Sequence, residues 1–247
     1  GQGPFLQTFG DLAIYSNGTV TASGNESKIK VKKNVRIWGE LTAPNGDNTR
    51  FVARGGFNVY SGGTFDHNSG TVFMNPGGTG YSINIEDGPG TNRNFYNLHK
   101  TNNKSITLSN DIEIENDLVV TSNGEINAQS YDITIGGDWS INKTSNFNSG
   151  SGKVTFAGST PQTIDGSANF NALIISSPDV SLLDNTNIAN TLRINSGGSL
   201  DVNGKNLTAS TLVNGGNLQL SGSETLVIST NDIDSGTITY DGTATGL

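Results

Sequence analysis

The chain has 247 residues, a formal net charge of −8 and a pI near 4.6, with 32% hydrophobic residues, 15% charged residues, 33 glycines and no cysteine. That acidic balance excludes a nucleic-acid binder, which needs basic patches to displace counterions, and no run approaches the roughly 18 apolar residues that cross a bilayer. The absence of cysteine excludes disulfides and cysteine zinc sites. A thin, elongated core needs only two or three inward residues per turn of chain. Short islands of Val, Ile, Leu, Phe and Thr, separated by Gly, Ser, Asn and Asp, suit such a core and suit strands better than helices.

Three markers recur along the chain. Phe-x-x-Leu opens at Phe9, Phe95 and Phe170. A glycine pair before a large apolar residue appears at Gly55-Gly56-Phe57, Gly136-Gly137-Asp138-Trp139 and Gly215-Gly216-Asn217-Leu218. The third marker is Gly70-Thr71-Val72-Phe73-Met74, Gly152-Lys153-Val154-Thr155-Phe156 and Gly236-Thr237-Ile238-Thr239-Tyr240. Read together they predict nearly three repeats of about 82 residues: a partial unit over 1–69, then 70–151, 152–235, and the start of another over 236–247. An ending that resembles the opening of a unit predicts a piece of a longer repeat protein, because a complete solenoid ends in atypical caps.

Each unit subdivides. Val154, Leu173, Leu192 and Leu212 stand 19, 19 and 20 residues apart, which fits one coil of three short strands and three turns. In Leu192-Arg193-Ile194 and Ile133-Thr134-Ile135 the outer residues point inward and the middle one outward. Asn17-Gly18, Asn45-Gly46, Asn123-Gly124, Asn203-Gly204 and Asn214-Gly215 supply turn chemistry. The stretch Asp184–Asn190 is expected to round a corner, and Asn75–Asn94 and Ser221–Ser235 to be loop insertions. The fold predicted is all-β, a single-stranded parallel β-solenoid of about eleven short coils forming one continuous domain. It is right-handed by the crossover rule and, at about 4.8 Å per coil, on the order of 50–60 Å long. An antiparallel sandwich series is the competing fold, since Asn-Gly also marks hairpins; a sandwich has no need of a fixed twenty-residue return.

The succession GKVTFAGSTPQTIDGSANFNALIISS, LRINSGGSLDVNGKNLT and VNGGNLQL resembles the repeats of very large secreted surface proteins of Bacteroidetes and related bacteria. The resemblance covers the last unit well, the middle one less and the first weakly. It implies a β-rich adhesin or stalk at the bacterial cell surface, and it brings no catalytic residues with it.

Candidate chemistry is sparse. Alternation places Asp111, Glu113, Glu115 and Asp117 on one side of a strand with Ile112 and Ile114 buried, and the expected role of these carboxylates is a solvated face. Calcium is the one cofactor their oxygens suit, although no EF-hand loop is present. Aligning Val35-Arg36-Ile37 with Leu118-Val119-Val120 puts Lys28, Lys30 and Lys32 where Asp111, Glu113 and Glu115 sit one unit later. Those stripes are candidates for contact between neighbouring molecules or neighbouring repeats. The separation within one rod, about 19 Å, exceeds the screening length of about 8 Å. His67 and His99 fall in different coils. Phe9, Phe95 and Phe170 are expected to form an internal ladder and Trp139 to be core, while Trp38 is a candidate surface contact for a glycan. The function predicted is a non-catalytic, structural or adhesive rod. The alternative is a carbohydrate-binding or polysaccharide-cleaving β-helix, which requires carboxylates and aromatics to converge on one groove.

Overall fold

A computed structural model describes residues 5–22, 27–45, 50–121, 123–142, 147–166, 169–232 and 235–242. Every named element is a strand, every strand pair is parallel, and the chain winds as a β-solenoid. The first face is a twelve-stranded sheet running in sequence order from Phe5–Thr8 through Lys28–Val31, Arg50–Ala53, Thr71–Met74, Asn97–Lys100, Leu118–Val120 and Trp139–Ile141. It continues through Gln162–Asp165, Val180–Leu182, Ser199–Asp201 and Asn217–Leu220 to Thr237–Tyr240. The chain returns to this face after 18 to 26 residues. Eleven returns at about 4.8 Å each make a stack of about 50 Å.

The second face runs from Leu12–Ile14 to Phe147–Asn148 in seven strands. The third begins as Thr19–Thr21, Glu40–Thr42 and Thr64–Asp66. It passes through the Phe65 N–H bond to Asn92 O and the Phe95–Ile114 bridge, and continues as Ile112–Ile114, Ile133–Ile135, Lys153–Phe156 and Ala172–Ile175. In the last coils the second and third faces fuse into long strands, Thr186–Ile194 and Leu207–Asn214, bent where the register shifts between Ile188 and Thr191. Thr186 and Ile188 are buried, so the Asp184–Asn190 stretch is largely strand with a bulge and not the expected corner.

Two-residue alternation builds the core. The expected column is present: Val154 pairs with Leu173, Leu173 with Leu192, and Leu192 with Leu212, all buried. Two aromatic clusters thicken it. Phe51, Phe57, Phe65 and Phe95 meet at centroid distances of 4.9 to 6.0 Å, and Trp139 lies 4.8 Å from Phe147 and 5.2 Å from Phe170. Phe95, Phe170 and Trp139 are core as expected, whereas Phe9 is 74% exposed and lies under the Lys32 ammonium at 4.4 Å.

Four other expectations are corrected. The 82-residue markers fall on different faces: Gly70–Met74 and Gly236–Tyr240 lead into the first face, Gly152–Phe156 into the third. Coils of unequal length carry the same local motif to different sides. For the same reason Val35–Ile37 belongs to the second face and Leu118–Val120 to the first, so the lysine and acid stripes are not equivalent positions. Asn75–Asn94 and Ser221–Ser235 hold the strands Ser82–Ile85 and Leu226–Asn231, and are coil segments in their own right. Asn17, Asn203 and Gly204 adopt the positive φ expected of turns. Asn214 instead ends a strand, buried, accepting the Gly216 N–H. Gly46 of the Asn45-Gly46 pair lies outside the described residues.

The corners have their own hydrogen-bond order. Asp11 Oδ1 accepts the Asn34 N–H at 3.0 Å, and Asn34 Oδ1 accepts the Gly56 N–H at 2.8 Å. The same step recurs from Asp111 to Asp132 to Lys153 and from Asn185 to Asn206 to Thr225. It recurs again along Asn97, Asp117, Asp138 and Thr163. A corner N–H has no strand partner, and a short Asx side chain in the preceding coil supplies one. Much of the Asn and Asp content is thereby spent on joining coil to coil.

Candidate functional site: a polar depression on the corner after the third face

The corner where the third face turns toward the first carries a depression of about 340 Å³. It extends over four successive coils. Tyr96 stands at one end, the segment Ala157–Thr160 at the other, Glu113 and Thr134 on the strands beside them, and Gly136 in between. Gly136 is a point of close approach between coils. A Cβ there would stand 2.2 Å from the Glu115 carbonyl oxygen, so this position carries no side chain and its backbone packs directly on that of the preceding coil.

The Ala157–Thr160 wall is held from inside. Gln162, 1% exposed, occupies an inward position at the start of its strand. Its Nε2 donates to Gly137 O at 2.6 Å and Ile135 O at 3.3 Å, and its Oε1 accepts the Gly158 N–H at 3.0 Å. This is the physical content of the Thr160-Pro161-Gln162-Thr163-Ile164 motif: a buried amide that ties one turn to the coil before it. Gly158 is the matching glycine, since a Cβ would lie 2.1 Å from Gly136 O.

The opposite wall is also fixed. Glu115 Oε1 accepts from Asn94 Nδ2 at 2.5 Å, and Asn94 is 6% exposed. Glu115 Oε2 lies 3.1 Å from His67 Nε2. His67 Nδ1 accepts the Ser69 N–H at 3.0 Å, which sets the neutral tautomer with its proton on Nε2. The His67 ring lies 5.6 Å from that of Tyr96. Asn116 Nδ2 is committed to Asn97 Oδ1 at 2.9 Å.

The residues singled out from sequence are distributed as follows. Asp111, Glu113 and Glu115 project outward beside buried Ile112 and Ile114, as alternation predicts. Asp111 and Asp117 are rungs of the corner ladders, Glu115 is held by His67 and Asn94, and Glu113 lines the depression. Among the described residues no three His, Asp or Glu side chains gather as metal ligands. Lys28 and Lys30 project from the first face, with Lys32 just beyond their strand. His99 is on the first face, away from His67. Trp38 is the middle rung of an outer aromatic stack. Tyr15 lies 5.6 Å and Tyr60 4.1 Å from it, at interplanar angles of 7° and 3°, so both Trp38 faces are covered and its edge is left for contact.

The grouping of His67, Tyr96 and Glu115 was not visible in the sequence. The three residues are separated by 29 and 19 positions, and only the actual coil lengths bring them to one corner. No protein-family model, no curated protein and no solved structure matches the chain.

Proposed function

We propose that this chain is a non-catalytic rod of a bacterial surface protein, carrying load along its axis and adhesive contacts on its sides. The observation that supports it best is continuity: one parallel sheet of twelve strands over one apolar core, with Asx rungs joining successive coils at several corners and Gln162 tying one turn to the coil before it. Repetition of nearest-neighbour contacts is how a solenoid reaches length without a larger core. The resemblance of 152–220 to bacterial surface repeats favours an extracellular setting.

Lateral contacts follow from the charge distribution. The Lys28, Lys30 and Lys32 stripe and the Asp111, Glu113 and Glu115 stripe occupy different faces. Rods pairing through them would do so heterologously, one face against another, which extends into arrays and does not close as a dimer. The test is retention of microspheres bearing the whole chain in laminar flow, over surfaces coated with the chain itself, with neutral polysaccharide or with albumin. Retention on the chain or the polysaccharide, above that on albumin, is expected. Equal release from all three would overturn the adhesive reading and leave a passive spacer.

A further inference from the structure

We propose that the depression between Tyr96 and the Ala157–Thr160 turn is a binding site for a neutral saccharide; this rests on the adhesive reading and gives it a ligand class. Three properties of the site point there. The first is size and form. At about 340 Å³ the hollow falls at the lower end of the range of small-ligand sites, and it runs along the rod across four coils, three steps that sum to about 14 Å. A short linear oligosaccharide matches that shape better than a compact ligand does.

The second is the donor and acceptor inventory. Glu113 offers carboxylate oxygens that accept hydrogen bonds, so a hydroxyl lying against them donates. Thr134, Ser159 and Thr160 carry hydroxyls that both donate and accept. A ligand rich in hydroxyl groups satisfies both sets. An O–H donated to a carboxylate is a charge-assisted bond, about twice as strong as a neutral one. Sulfated or carboxylated ligands meet the Glu113 and Glu115 charges and are repelled. Tyr96 adds an aromatic body with a polar tip, suited to covering the apolar C–H surface of a pyranose while its O–H stays in the polar rim.

The third is preorganisation. Both ends of the hollow are locked by bonds that no ligand is needed to make: Gln162 to Gly137 and Gly158, and Glu115 to Asn94 and His67. A site fixed in advance loses little freedom on binding. Glu113, by contrast, makes no side-chain bond among the described residues, so its carboxylate is available to a ligand.

The test uses the full chain with soluble neutral hexasaccharides of glucose, mannose, galactose and xylose, a sulfated and a sialylated oligosaccharide, and a lysine-rich peptide. Binding is read by saturation-transfer NMR and titration calorimetry. At least one neutral hexasaccharide is expected to bind, with affinity at least tenfold weaker in Tyr96→Ala and in Glu113→Gln and unchanged in Lys205→Glu, in the turn before Leu207–Asn214. Circular dichroism checks that each variant keeps the strand signal. Binding of none of the neutral sugars, binding that survives both substitutions, or preference for the sulfated, sialylated or lysine-rich probe overturns the proposal. If no sugar binds while chain-coated microspheres still hold to chain-coated surfaces, the saccharide site fails and the adhesive rod stands.

Discussion

The Gln162 side-chain amide donates to the Gly137 carbonyl at 2.6 Å, from a position that is 1% exposed and separated from it by one coil of chain. Gly137 O and the Gly158 N–H find their side-chain partner in this one amide. Gln162→Leu keeps the volume and removes these bonds together with the longer one to Ile135 O. With about 1–3 kcal/mol for each buried group left unsatisfied, a loss of about 2–4 kcal/mol is expected from denaturant unfolding. The Gly158 amide is expected to exchange much faster with deuterium in the variant.

Asp138 joins three coils. Its N–H donates to Asp117 Oδ1 at 2.8 Å, and its Oδ1 accepts the Thr163 N–H at 2.7 Å. Asp138→Ala removes the acceptor and is expected to cost about 1–2 kcal/mol, while Asp138→Asn retains an oxygen and is expected to recover most of it. Equal losses in the two variants would show that carboxylate charge, and not the rung, matters at this corner.

Trp139 is fully buried against Phe147 and Phe170, yet its Nε1 has no hydrogen-bond partner among the described residues. Removing that donor offsets part of the lost packing. Trp139→Phe is therefore expected to cost about 1 kcal/mol, against about 3–5 kcal/mol for Trp139→Ala. Thermal melts of both variants measure the difference.

Lys100 sits at an inward position of the first face, 1% exposed, its Nζ donating to the Thr101 and Asn102 carbonyls at 3.0 Å. Burial lowers its pKa from 10.5 to about 8. Between these values the unfolded chain holds a proton that the folded chain has released, so stability rises with pH across the window. Below pH 8 the burial cost is present in full. The melting temperature of the native chain, relative to Lys100→Met, is expected to climb from pH 8 to 10.5. A constant difference would contradict the assignment.

The two-residue alternation and the Val154, Leu173, Leu192, Leu212 column were legible in the sequence because they depend on local pattern and on neighbouring coils of nearly equal length. Trp139 could be placed in the core from its glycine pair. What failed depended on summed coil lengths. Returns of 18 to 26 residues rotate a repeated motif from one face to another, so Phe9 and Phe95 share a pattern while one is exposed and the other buried. The lysine and acid stripes were misaligned for the same reason. The Gln162 motif was recognisable as a motif, but its meaning lies in two carbonyls of the preceding coil that only the fold brings near.

The most direct test of a rod that carries force along its axis is to pull the whole chain from its two ends in a single-molecule force experiment. Coils of 18 to 26 residues held mainly by their neighbours are expected to leave one at a time, giving contour steps of about 60–90 Å at roughly 3.3–3.6 Å per residue. A single release of the entire chain, or extension without resolved steps, would contradict the account of a rod built from coils that each carry load through the next.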